Sequence, residues 1–194
     1  MKKIFFAAIA AMFVSVFCAC GNSSLGMSLQ ELNDSLLKAE TAAEIKELLA
    51  EGADANAADV FGTALNRVTY TGDIEAVKIL LEAGANPNSL DSINGTTPIF
   101  DAWQPEIVKL LIKYGADVNF IKVTGIEHIT DYKTDEPILS HGETPLIWQL
   151  ACSDTEPNEE IIKLLMNAGA DQTICDDEGK SAKDYASDEL KNLF

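Results

Sequence analysis

The chain has 194 residues and is strongly acidic, with 31 Asp and Glu against 14 Lys and Arg and a formal net charge of −17. DNA, RNA and anionic lipid headgroups repel such a polyanion, so the composition argues against a nucleic-acid-binding protein. A partner that is attracted by charge should instead be another protein with a basic surface.

The N-terminal segment has the pattern of an export signal. Met1–Lys3 is a basic start, and residues 4–17 form an almost unbroken apolar run. This run is shorter than the ~20 residues that a membrane-spanning helix needs, so we predict that residues 1–19 are a signal peptide. Its end, with Ala19 before Cys20, resembles a bacterial lipoprotein signal. The resemblance implies a lipid on Cys20 and attachment to a membrane of the bacterial envelope, at its periplasmic face or in the outer membrane. Ordinary secretory cleavage is the alternative.

Four copies of one pattern follow a linker that we predict at residues 20–27. Each copy has apolar residues at helical spacing and ends in Gly-Ala followed by Asp or Asn. The copies are residues 45–54, 77–86, 108–117 and 162–171. A second signal, Thr63, Thr97 or Thr144, is typical of a helix start because Thr is a good N-cap. No unit can bury its apolar face alone, so the units should stack into one domain.

These signals resemble the ankyrin-repeat family, whose repeat of about 33 residues begins Gly-x-Thr-Pro-Leu-His and ends Leu-Leu-x-x-Gly-Ala-Asp-x-Asn. Residues 52–56 and 115–119 match that end in full. Residues 179–186 resemble an abbreviated last repeat, and residues 29–37 resemble a degenerate first helix. The resemblance covers residues 28–194. It implies an all-α solenoid of about five helix-turn-helix units that acts as a non-enzymatic protein-binding scaffold or adaptor, without a cofactor.

The sequence departs from the family pattern at two kinds of position. The family's His is replaced by Asn66, Phe100 and Ile147, so we expect the hydrogen bond of that side chain to be absent and packing to replace it. The third unit is also about three residues short between Thr97 and Gly115.

A long insert, residues 122–141, separates the third full unit from the next. Alternating apolar residues predict an extended hairpin-like finger. Its apolar Ile126, Ile129 and Tyr132 are interleaved with acidic residues, which favours a binding patch for a basic protein. A flexible filler, or a lid that folds back over the helices, is the alternative.

Aromatic and apolar residues near the first helices complete the predicted binding surface. Tyr70 falls at an exposed, variable position of the family pattern, which favours partner contact. The two Trp residues could either contact a partner or fill gaps in the core. The predicted partner-binding residues are Tyr70, Ile93, Trp103, Ile126, Ile129, Tyr132 and Trp148.

Two other functions are alternatives to the scaffold. One is an immunity-type inhibitor of a toxin or hydrolase, which would need a basic target. The other is a metal-dependent enzyme that uses His128, His141 and the acidic residues of the insert. Their spacing matches no metal motif, so we predict neither a metal site nor catalytic residues. Cys152 and Cys175 could form a disulfide, but we expect both to be small buried hydrophobes.

Overall fold

The computed structural model describes residues 26–91, 93–122, 142–151 and 157–194. Over these ranges the chain forms eight α-helices, two short strands and two 3-10 helices. The α-helices are α1 Leu29–Lys38, α2 Ala42–Ala50, α3 Ala64–Thr71, α4 Ile74–Glu82, α5 Pro105–Lys113, α6 Pro145–Ala151, α7 Glu159–Asn167 and α8 Ala182–Tyr185. The strands are β1 Ala58–Asp59 and β2 Gly62–Thr63, and the 3-10 helices are Pro98–Phe100 and Lys191–Leu193. None of the helices in the described ranges is long and apolar enough to cross a membrane.

The helices begin at the polar residues that the sequence supplies for this purpose. Ser28 and Thr41 each form a capping box with the Glu three residues further on, which satisfies amide groups that have no partner inside the helix. Asp73 caps α4 through the amide of Ala76 at 3.0 Å. The third unit uses Pro105 at the start of α5 instead.

Five helical units follow one another along the chain, which confirms the predicted all-α architecture. The first two are α1 with α2 and α3 with α4; the third pairs the 3-10 helix Pro98–Phe100 with α5; the fourth is α6 with α7; and the last is α8 with the 3-10 helix Lys191–Leu193. One continuous core runs through all five. Its largest fully buried side chains are Leu36, Ile45, Leu65, Leu80, Ile99, Phe100, Ile107, Leu111, Leu146, Ile147, Ile161 and Ile162.

An asparagine ladder joins the connections, here called fingers, that link one unit to the next. Asn56 Nδ2 donates to the carbonyl of Gly84 at 3.1 Å, and its Oδ1 accepts from the amide of Asn86 at 2.7 Å. Asn88 repeats this arrangement one unit later. Asn119 then contacts Gly169 and Asp171, 50 and 52 residues further along the chain. The ladder therefore continues past the insert without interruption.

Described residues at the two ends of the insert contact each other. The amide of Lys122 donates to the carbonyl of Glu143 at 2.9 Å, and the Lys122 ammonium lies 3.2 Å from the Glu143 carboxylate. Residues 123–141 themselves lie outside the described residues, so the predicted hairpin there stays a prediction.

The expected loss of the family's side-chain hydrogen bond is wrong at Asn66. Its Oδ1 accepts from the amide and hydroxyl of Thr63, at 3.0 and 2.7 Å, and its Nδ2 donates to the carbonyl of Ser89 at 3.2 Å. An amide side chain therefore retains both donor and acceptor bonds at this position. The expectation is confirmed at Phe100 and Ile147, which are fully buried.

Candidate protein-binding surfaces

Exposed apolar side chains recur on successive fingers of the solenoid. Val60 and Phe61 on the first finger are 66% and 59% exposed. Leu90 and Ile93 follow on the second finger, and Ile121 follows at the start of the third. We call these five residues the finger row. Single exposed apolar residues are ordinary on protein surfaces, whereas a row of them on neighbouring elements is typical of an interaction site.

The first finger holds its two apolar residues on a rigid turn. Asp59 pairs with Gly62 across the hairpin, so Val60 and Phe61 form the two-residue loop. The Asp59 carboxylate accepts from the amide of Phe61 at 2.8 Å and is bound at both oxygens by Arg67, at 2.6 Å each. Arg67 also donates to the carbonyl of Leu37 at 2.5 Å. The apolar tip is thus tied to two helices before any partner arrives.

A buried carboxylate organises the second finger in the same way. Asp91 accepts from the amide of Ile93 at 2.8 Å and from the side-chain amide of Asn94 at 2.6 Å. These bonds fix the turn that presents Ile93.

A partly buried group of charges lies around Lys122, where the insert begins. The Lys122 ammonium is 4.2 Å from the centre of the Trp148 ring, and Trp148 packs edge-on against Phe100. Burial, together with repulsion from Asp91 and opposed by attraction from Lys122, raises the pKa of Asp101 to about 6. Trp148 is half buried and packs against Lys122 and Phe100.

Tyr70 and Trp103 lie at the opposite end of the helices from the finger row. Tyr70 is in the last turn of α3 and is 72% exposed, and Trp103 is 57% exposed. The indole Nε1 of Trp103 donates to the carbonyl of Tyr70 at 3.1 Å. The structure thus places these two residues apart from Ile93, whereas the sequence analysis predicts one binding surface that includes all three.

A family model of three ankyrin repeats matches residues 37–122, and a single-repeat model matches residues 141–177. The chain belongs to the ankyrin-repeat family. Ankyrin repeats are typically non-enzymatic modules that mediate protein–protein interaction.

Three relatives show the range of proteins that contain similar ankyrin repeats. Bovine (Bos taurus) dynein axonemal heavy chain 12 is 31% identical over 59% of this chain, and human (Homo sapiens) ankyrin repeat and SOCS box protein 6 is 33% identical over 56%. The match covers only 27% and 31% of those two proteins. Mouse (Mus musculus) protein phosphatase 1 regulatory subunit 27 is 33% identical over 63% of this chain and 68% of its own length.

Sequence reasoning missed four members of the finger row: Val60, Phe61, Leu90 and Ile121. The signal was present for the first two, because two large apolar residues occupy the tip of a two-residue hairpin loop, where Asn and Gly are usual. Three predicted site residues, Ile126, Ile129 and Tyr132, lie outside the described residues, as do Cys20, His128 and His141.

Neither a metal site nor a buried thiol is found in the described part of the chain. Its residues contain no group of three or more His, Cys, Asp or Glu side chains placed to hold a metal ion. Cys175 is exposed, so the expectation that it is a small buried hydrophobe is wrong. Cys175 precedes the turn of the last finger, in which Asp176 accepts hydrogen bonds from the amides of Glu178 and Lys180. This position leaves the thiol outside the core.

Proposed function

We propose that this ankyrin-repeat chain is an adaptor of the bacterial envelope, anchored by a lipid on Cys20, that binds a basic protein through the finger row. The observation that carries the binding role is the row itself, since its apolar side chains are exposed on turns that are already fixed by hydrogen bonds and ion pairs. A surface that is ordered before binding loses less conformational entropy when a partner docks.

Phe61 is the strongest anchor of the proposed surface. Phe61 is the largest side chain of the finger row and lies in the two-residue loop of the β1–β2 hairpin. The ion pair between Asp59 and Arg67 stabilises this turn. Aromatic side chains on rigid supports supply much of the binding energy of protein interfaces. The net charge of −17 supports a basic partner, because opposite charges steer association.

The binding role is tested by site-specific photocrosslinking of the full chain in cells. A photoreactive phenylalanine analogue is placed at Phe61 or Ile93, with exposed Lys78 on the outer helix α4 as the matched control. We expect a shared crosslinked partner at Phe61 and Ile93 and none at Lys78. In the purified complex, Phe61→Ala should weaken binding about tenfold or more. Equal crosslinking at all three positions, or none at the two finger positions, would contradict the proposal. A toxin or hydrolase as the captured partner would specify the adaptor as an inhibitor.

The anchoring part of the proposal rests on the sequence before Cys20 and is tested separately. Metabolic labelling with a fatty-acid analogue should label the wild-type chain and not Cys20→Ser, which should appear in the soluble fraction. An unlabelled wild-type chain would refute the lipid anchor and leave the binding role standing.

A further inference from the structure

Two exposed aromatic side chains lie where the two helices of a unit meet, at the end opposite the fingers. Tyr70 is in the last turn of α3, and Trp103 lies in the loop before α5. We call this surface the inter-helix edge; it comprises Tyr70, Gly72 and Trp103 with the acidic residues Asp73, Glu75 and Glu106. Neither aromatic residue belongs to the finger row, and neither side chain is buried.

The indole of Trp103 is fixed in place on this edge. Its Nε1 donates to the carbonyl of Tyr70, and the neighbouring Gln104 Nε2 donates to the carbonyl of Gly72 at 2.9 Å. Gly72 ends α3 in the left-handed region, with φ of 80°, and a Cβ added there would clash with both side chains. Glycine at this position therefore permits the close approach of the indole.

The charge beside this aromatic pair has one sign. Residues 70–76 and 102–107 contain three carboxylates, Asp73, Glu75 and Glu106, and no Lys or Arg. The first turn of α2 adds Glu44 at the same end of the solenoid, whereas Glu159 and Glu160 of α7 are paired with Lys163 and Lys109. Helix dipoles explain acidic residues at helix N-termini, but they do not explain two large exposed aromatic rings beside them.

We propose that the inter-helix edge is a second binding surface, separate from the finger row, that takes an extended basic segment of a protein. An Arg or Lys side chain of that segment lies on the exposed face of Trp103 or Tyr70, and the carboxylates surround it. Cations bind to the faces of aromatic rings, and Arg stacks on them as well. The fixed indole needs no reorganisation when the cation arrives.

The test uses the two Trp residues of the chain as separate reporters. The 15N-labelled full chain, in a non-ionic detergent, is titrated with a nine-residue peptide of alternating Gly and Arg. The control peptide carries neutral citrulline in place of each Arg. We expect a saturable shift of the Trp103 indole N–H signal with the Arg peptide and little shift of the half-buried Trp148. The citrulline peptide should produce no comparable change.

Substitutions then separate the aromatic contact from a structural role. We expect Tyr70→Ala and Trp103→Ala each to weaken peptide binding about three- to fivefold. Gln104→Ala removes a comparable tie to α3 but no aromatic ring, so it should bind as the wild type does, as should Phe61→Ala in the finger row. The exposed pair Glu75→Gln and Glu106→Gln tests the carboxylates without touching the core and should also weaken binding.

Three results would overturn this proposal: a Trp103 signal that moves no more than that of Trp148, equal binding of the citrulline peptide, or wild-type affinity in Tyr70→Ala together with the Glu75 and Glu106 double variant. The test with Tyr70→Ala and the Glu75 and Glu106 double variant remains valid even if Trp103→Ala does not fold. The side chains of Tyr70, Glu75 and Glu106 are exposed, so their replacement should leave the fold intact. None of these results bears on partner capture by the finger row.

Discussion

The second and third units begin alike but differ in the first helix of the unit. Both start from a Thr, but the second unit forms the eight-residue α3, whereas the third forms only the 3-10 helix Pro98–Phe100. In the third unit, Trp103 and Gln104 reach back to carbonyls at the end of α3. A unit can thus lose a helical turn when side chains from its loop bond to the neighbouring helix end, whose carbonyls need partners.

The same comparison extends to the individual positions after each Thr. Asn66 in the second unit corresponds to Phe100 in the third, and Arg67 corresponds to Asp101. The second unit therefore uses hydrogen bonds and an ion pair at places where the third uses apolar packing and a partly buried carboxylate. Each pair of positions gives a matched test of this difference.

The largest effect should come from Phe100→Ala. The ring is fully buried and contacts both Phe120 and Trp148, so its removal leaves a cavity that costs about 3–5 kcal/mol of unfolding free energy. Asn66→Ala, the matched change in the second unit, removes hydrogen bonds to Thr63 and Ser89 and should cost about 1–3 kcal/mol. Urea unfolding at neutral pH measures both, and a larger loss in Asn66→Ala would reverse the assignment of packing to the third unit.

Asp101→Asn should stabilise the protein in a pH-dependent way. The pKa of Asp101 is about 6 in the folded chain against an ordinary 3.8, so the folded state favours the protonated form. The ionised carboxylate then destabilises the fold above pH 3.8, by up to about 3 kcal/mol once the pH exceeds 6. Asn removes this cost.

We therefore expect Asp101→Asn to raise the unfolding free energy by about 1–3 kcal/mol at pH 8 and by only about 0.5 kcal/mol at pH 4. Denaturant unfolding of both proteins between pH 4 and pH 8 measures the difference. A gain that is the same at both pH values would show that the substitution acts through packing and not through the charge.

The repeat signals were sufficient to predict the solenoid, because a Thr at a helix start and a Gly at its end act within a few residues. The aromatic pair could not be placed in the same way. Trp103 reaches Tyr70 across 33 residues, and its indole lies against Gly72. The hydrogen bond between Asn66 and Ser89 could not be predicted for a related reason, since Ser89 lies in the next finger. Contacts between units depend on stacking geometry that local patterns do not contain.

Thr63→Val and Thr97→Val should differ although both replace the same residue of the repeat. Thr63 caps α3 and shares bonds with Asn66, so its loss should cost about 1–2 kcal/mol. The hydroxyl of Thr97 is buried and has no hydrogen-bond partner among the residues that the structure describes. Because a buried hydroxyl without a partner is itself unfavourable, Thr97→Val should be neutral or slightly stabilising. Thermal melts compare the two, and equal losses would show that Thr97 does cap its helix in solution.

A small destabilisation should come from Gln104→Ala, which tests whether loop side chains replace the missing turn. Gln104 Nε2 is bonded to the carbonyl of Gly72 at 2.9 Å, and the bond is partly buried, so its loss should cost about 0.5–1.5 kcal/mol. Trp103 keeps its own bond to Tyr70 in this variant, so the third unit should stay attached to α3. Hydrogen exchange at the end of α3 distinguishes the local effect from a global one, because a lost tie should speed exchange there more than in α4. Uniform acceleration over both helices would mean that Gln104 stabilises the stack as a whole and that the third unit depends on it as much as on its core.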